Sequence, residues 1–316
     1  MVVKYGQVVL GPPGCGKTTY CQAMASLLRS VGRKVAIINL DPGNDSLPYE
    51  AAIDVSELVQ VEEVMSTQDL GPNGALIYCM EFIEANLSWL VEKIQALHGH
   101  YLLFDFPGQA ELYAHHSMVR NILLALDKSD IRLCAAYLVD SHYANDPGKY
   151  ISAVLLTLNS MLVMELPTVN ILSKIDAVEK YGSLDMGLEF YTDVMDLDYL
   201  LEFFNDSPIM KKYFKLNKAL ADVISDYSLV SFIPISVENQ STLLNVMKAV
   251  DKANGYSYGT GEEMNIQQLL SCAVGAEWEH DRIGSAREEF MKDTDKFDED
   301  DDEILKMIAQ QNKNRL

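Results

Sequence analysis

Six short runs in this chain are apolar at nearly every position: QVVL (7–10), KVAIINL (34–40), YLLFDF (101–106), LCAAYLV (133–139), TVNILS (168–173) and LVSFIPI (229–235). They do not alternate apolar with polar residues, which is the pattern of strands covered by helices on both faces. Helix-length stretches separate them. Strand–helix–strand alternation implies right-handed crossovers, so the expected fold is α/β with a doubly wound, mainly parallel sheet. Such sheets bind ligands beyond the carboxyl ends of their strands. Five of those ends carry polar residues here: Gly11 onward, Asp41, Asp105, Lys174–Asp176 and Ser236. A single site along one edge is the expectation.

The connection 43–100 is longer than one crossover helix requires. It holds VSELVQVEEVM (55–65) and LIYCMEFIEANLSWLVEKIQAL (76–97), both with apolar residues at helical spacing. DLGPNGAL (69–76) joins them as a corner in which Gly71, Pro72, Asn73 and Gly74 each disfavour regular structure. A second insertion, 177–228, is also helical and amphipathic. Past about Gly259 the sequence changes character and ends in KDTDKFDEDDDEILKMIAQQNKNRL. The expected organisation is therefore a domain over 1–259 with two insertions, and an extension over 260–316 whose acidic block is a solvated, flexible tail.

With 316 residues and 48% apolar composition, the chain can bury a large core, which excludes wholesale disorder. Its 46 acidic residues against 25 basic give a formal charge of −21. That charge repels nucleic-acid phosphate and anionic membrane, and no basic patch offsets it, so neither is an expected direct partner. The five cysteines are odd in number and widely spaced, as free thiols in a reducing compartment would be. The amino terminus runs directly into a motif with no room for a signal peptide, and no run approaches a membrane span. A soluble, cytoplasmic protein is expected.

GPPGCGKTT (11–19) follows a strand, precedes a helical pattern and matches G-x-x-x-x-G-K-[ST] completely. Gly11, Pro12, Pro13, Gly14, Cys15 and Gly16 form a loop whose backbone N–H groups can surround phosphate oxygens. Lys17 reaches the β- and γ-phosphates, the Thr18 hydroxyl ligates Mg2+, and Thr19 joins them among the nucleotide-binding residues. A dinucleotide fingerprint would need glycine where Thr19 stands. Asp105, ending its strand, is placed to hold the Mg2+ shell. Gly108 can bring its N–H close to a γ-phosphate because no Cβ intervenes, and Gln109 can orient an attacking water.

NILSKIDAV (170–178) supplies a base-reading element. The Asp176 carboxylate can accept guanine N1–H and N2–H together, and Lys174 can lay its alkyl stem along the base. Ser173 stands where the usual guanine motif has Asn. Ser236 can direct a backbone N–H at guanine O6. Taken alone, Ser–Lys–x–Asp is equally an exposed loop.

These segments together resemble the GPN-loop GTPases over about residues 4–259. The resemblance rests on GPPGCGKTT, NLDPGNDSLPYE, LGPNGALIYCMEFIEAN, FDFPGQAE, LVDSHYANDPGKY, LSKID and DYSLVSFIPIS. DKANGYSYG and Ser173 look most like the second of three eukaryotic paralogues. The resemblance implies a P-loop GTPase that binds GTP/GDP with Mg2+ and forms homodimers or heterodimers with a paralogue. It implies that Asn73 enters the partner's pocket near the γ-phosphate, and that Asp41, Gln109 and Glu111 surround the attacking water. By itself Pro–Asn–Gly is a common turn, and Glu111 an ordinary first-turn helix acid. The resemblance further implies a role in RNA polymerase II assembly and nuclear import, cycling between cytoplasm and nucleus. Two alternatives remain open: a dimeric ATPase of the same architecture, and a nucleotide-gated scaffold with negligible hydrolysis. A small-molecule kinase would need an Arg-rich lid that neither insertion supplies.

Overall fold

The structure, a computed structural model, describes residues 3–44, 46–178, 186–194, 197–202, 212–258 and 266. The chain divides into two compact units, Met1–Ala276 and Glu277–Leu316, and every described residue belongs to the first. The extension expected over 260–316, acidic block included, lies outside the described residues except for Ile266.

Seven strands form one sheet: β1 (Lys4–Leu10), β2 (Val35–Asn39), β3 (Ile53–Asp54), β4 (Tyr101–Asp105), β5 (Ile131–Asp140), β6 (Thr168–Ser173) and β7 (Phe232–Ile235). Their order is β3-β2-β4-β1-β5-β6-β7, and every pairing is parallel. Each apolar run is a strand. Sequence patterning missed only β3, which has a single apolar residue and therefore no run to detect. Pairing holds it in place, Ile38 against Ile53 and Asn39 against Asp54, with Asn39 Nδ2 donating to Asp54 Oδ1 at 3.0 Å.

Burial explains why the strands do not alternate. All five residues of β2 and of β4 are buried. On one face Val9, Ile37, Leu103, Cys134 and Ala136 pack with Tyr20, Met24 and Leu28 of α1 (Lys17–Val31), and with Leu244, Met247 and Val250 of a carboxyl-terminal helix, Gln240–Asn254. The alternate residues, Val8, Leu102, Phe104 and Ala135, are equally buried. Covering both faces leaves the strand ends as the accessible edges, which is where a site must form. At the amino edge, Arg33 makes a bidentate pair with Asp251 at 2.9 and 2.6 Å and lies over the Tyr256 ring, tying the end of α1 to Gln240–Asn254.

The 43–100 connection holds β3, α2 (Val61–Gln68), α3 (Pro72–Ala85) and α4 (Leu87–Ala96). Three details differ from expectation, the first being that the run 55–65 is a 3-10 turn over Val55–Glu57 and α-helical only from Val61. The predicted long helix breaks at Asn86, whose backbone leaves the helical region and whose Nδ2 donates to Phe82 O at 2.8 Å. At the other end, α3 begins four residues before the predicted run. Asp69 closes α2 in a left-handed conformation, Gly71 caps α3, and Pro72 is its first helical residue. Proline at that position needs no N–H and has a helical φ already set. The corner is thus Asp69–Gly71, while Asn73 and Gly74 belong to a helical turn.

In the second insertion the described segments Leu188–Asp193, Leu197–Glu202 and Phe214–Tyr227 are helical, as expected. Cys15, Cys21, Cys79 and Cys134 are free and buried. Among the described residues no helix is long and apolar enough to cross a membrane.

Candidate functional site

The loop between β1 and α1 is built on backbone that only glycine tolerates. Gly11 has φ +141°, and a Cβ there would lie 2.3 Å from Leu138 O on the neighbouring β5. Gly16, with φ +93°, caps α1 with no side chain of its own. The N–H groups of the first turn, at Lys17, Thr18 and Thr19, therefore open toward the loop with the helix's positive end behind them. Lys17 is buried, and its ammonium donates to Gly11 O at 3.2 Å and Pro12 O at 3.1 Å, curled into the loop it serves. Cys15 is a buried filler under Gly11, and burial pushes its thiol up from the ordinary range, away from reactivity. Pro13 and Gly14 form the exposed rim.

Gly108 comes from β4 to meet this loop. A Cβ on it would stand 2.7 Å from Lys17 Nζ and 3.1 Å from Pro13 Cα, so a side chain there would press on the loop that glycine lets the backbone approach. Asp105, at the end of β4, is 1% exposed. Its Oδ2 accepts from the Tyr49 hydroxyl at 2.7 Å, while no well-formed hydrogen bond reaches the buried Oδ1. Burial raises the Asp105 pKa; Tyr49, Thr18 and Lys17 draw it back down, and Asp41 pushes it up. A buried carboxylate oxygen with no well-formed hydrogen bond, on a carboxyl whose pKa the Thr18 hydroxyl lowers, suits a hard cation that takes oxygen ligands and completes its shell from phosphate and water. The donor set therefore fits Mg2+, which Thr18 and Asp105 would hold.

The base-reading element is fastened to the phosphate loop. The Ser173 hydroxyl donates to Cys15 O at 2.8 Å, with Val139 O as a second acceptor at 3.1 Å. Lys174 adopts the left-handed conformation at φ +60°, uncommon for a side-chain-bearing residue. Its ammonium donates to Gly14 O at 2.5 Å and pairs with Asp140 at 2.7 Å. Serine in the Asn position thus still ties this loop to the phosphate loop. Asp176 is exposed in the short helical turn Ile175–Ala177 that follows. Ser236 differs from expectation: its N–H turns inward to Thr242 Oγ1 at 3.2 Å. Its hydroxyl is buried and makes no hydrogen bond among the described residues.

Around the expected water position the arrangement is looser. Asp41 Oδ1 accepts from Gly43 N–H at 3.0 Å, capping its own turn. Asn73, exposed in the first turn of α3, accepts through Oδ1 from Gln109 Nε2 of the same chain at 2.9 Å. Glu111 is exposed and opens a four-residue helix, Glu111–Ala114.

A family model described as "Conserved hypothetical ATP binding protein" matches residues 9–256. A Danio rerio protein named GPN-loop GTPase 2 is 50% identical over 299 residues, covering 95% of this chain and 96% of its own length. The chain belongs to the GPN-loop GTPase family. An Arabidopsis thaliana relative named GPN-loop GTPase QQT1 is 48% identical over 292 residues, covering 92% of this chain and 98% of its own. Among solved structures, a GTPase in apo form from Pyrococcus abyssi matches with TM-score 0.65 at 25% identity, covering 80% of this chain and 98% of that one.

Membership in the GPN-loop family does not by itself point to every residue at the edge. Sequence reasoning passed over Tyr49, Asp140 and Asn44, whose Nδ2 lies 3.5 Å from Thr18 Oγ1. Asp140 ends β5, and an acid at a strand end was the available signal. Tyr49 and Asn44 sit in an irregular loop, where no periodicity marks them.

Proposed function

We propose that this chain binds GTP with Mg2+ at the carboxyl edge of its sheet and hydrolyses the γ-phosphate by in-line attack of water. One observation carries this reading. Ser173 and Lys174 are hydrogen-bonded to the carbonyls of Cys15 and Gly14, so a base-reading loop and a phosphate cradle form one continuous surface. Asp176, exposed just beyond, supplies a carboxylate for two guanine donors that adenine lacks.

Lys17 and the first-turn N–H groups of α1 bear phosphate charge. Gly108 presents backbone to the terminal phosphate, as its place beside the Lys17 ammonium, where a Cβ would crowd it, supports. Thr18 and Asp105 hold Mg2+, which when bound neutralises charge on the phosphate oxygens. Gln109 and Asp41 orient the water, with Glu111 beside them. Asn73 adds an amide donor at the γ-phosphate of a partner subunit. Its exposure, and that of Tyr78 and Phe82 on the same helix, support a second chain there, whether another copy or a paralogue. Loss of the γ-phosphate would then release contacts across the dimer. The family resemblance supports service in RNA polymerase II assembly, in the cytoplasm with passage to the nucleus.

Calorimetry with GTP, GDP, ATP and XTP, with mass measured in each state, tests base choice and assembly. Guanine nucleotides should bind tightly and ATP weakly. Equal affinity for ATP would favour the ATPase reading, which the description of the matching family model suggests. Single-turnover hydrolysis separates an enzyme from a nucleotide-gated scaffold.

A further inference from the structure

We infer that Tyr49 is a positioning residue for the metal-binding carboxylate of Asp105 and favours Mg2+ over larger divalent cations. The inference rests on the proposed Mg2+ site and goes one step outward from it. The Tyr49 hydroxyl donates to Asp105 Oδ2 at 2.7 Å. That bond occupies one carboxylate oxygen and leaves Oδ1, buried and without a well-formed hydrogen bond, as the oxygen for the cation. A carboxylate with both oxygens free can rotate or chelate. Mg2+ takes single oxygens in a tight octahedron, whereas Ca2+ accepts bidentate carboxylates in looser shells. A fixed donor on Oδ2 therefore removes the arrangement that Ca2+ can use and Mg2+ does not.

Tyr49 reaches this position because the loop between β2 and β3 is anchored on both sides of it. Gln22 Nε2 of α1 donates to Pro48 O at 3.0 Å, and Ala52 N donates to Ile37 O at 2.8 Å. The ring packs against the core cluster beneath α1. Packing alone would require a ring but no hydroxyl. The hydroxyl is what connects this loop, which also carries Asp41 and Asn44, to the carboxylate. Partners of metal ligands commonly influence metal affinity by tenfold or more.

The test is Tyr49→Phe, which keeps the ring. Release of a fluorescent GDP analogue from the full-length chain is followed while Mg2+ or Ca2+ is titrated. The Mg2+ midpoint should rise about tenfold, the Ca2+ midpoint should move much less, and metal-free release should be unchanged. An unmoved Mg2+ midpoint in Tyr49→Phe, with a shifted one in Asp105→Asn, overturns the inference and leaves the metal site standing. Faster release without metal means that Tyr49 only supports the fold, which also overturns it. If Asp105→Asn leaves the Mg2+ midpoint unmoved, the metal assignment itself fails and this inference fails with it.

Discussion

The phosphate cradle and the turn bearing Asn73 lie at the same edge of the sheet but are built in opposite ways. In the cradle, Lys17 is buried, Gly11 and Gly108 touch neighbouring backbone, and Ser173 and Lys174 bind the loop's carbonyls. Its geometry is fixed by contacts within one chain before any ligand arrives. Asn73 is exposed, and among the described residues its side chain is held by one hydrogen bond, from Gln109. An amide held that lightly can exchange Gln109 for another acceptor or donor at little cost, because water competes for an exposed hydrogen bond. Rigidity suits a site that must recognise a fixed anion. Looseness suits a group that acts only once something else has docked.

Mutations separate the two behaviours. The largest effect should come from Lys17→Ala, which removes charge-assisted hydrogen bonds from a buried position. Triphosphate affinity should fall by about a thousandfold in calorimetry, and an unchanged value would refute the phosphate-loop assignment. Next is Asp176→Asn. The ratio of GTP to XTP affinity should swing toward xanthine by about a hundredfold, and a variant that still prefers GTP would count against the base assignment.

Asn73→Ala should slow single-turnover hydrolysis by about tenfold to a hundredfold, toward the low side for a charge-stabilising donor because the amide is exposed. GDP affinity and melting temperature should stay the same. A variant that unfolds would mean that Asn73 serves only the turn. The smallest effect belongs to Ser173→Ala, which loses a neutral hydrogen bond to Cys15 O. GDP should bind about fivefold more weakly, and a Ser173→Asn variant should recover the loss. No loss in Ser173→Ala would mean that Lys174 alone carries the coupling between the two loops.

Legibility in the sequence followed the same division. The six long strands, the phosphate loop and the start of α1 at Lys17 were readable because each depends on local residue types: continuous apolar runs, glycines in a turn, and a helix pattern behind them. The start of α3 at Pro72 was not read, since proline and glycine mark a turn and a helix start equally well. Ser236 was placed correctly at the end of its strand, yet its N–H points to Thr242, a direction set by how the segment Gln240–Asn254 docks. Tyr49 was invisible because its partner is 56 residues away.

Residue order along this chain was enough to specify which elements form and which of them carries the phosphate loop, because those features are decided by neighbours within a few positions. Packing chose the rest: that Ser173 reaches Cys15, that Gly108 sits beside Lys17, and that Tyr49 occupies one oxygen of Asp105. These contacts join segments far apart in the chain, and only the closing of the sheet brings their polar groups within hydrogen-bonding reach.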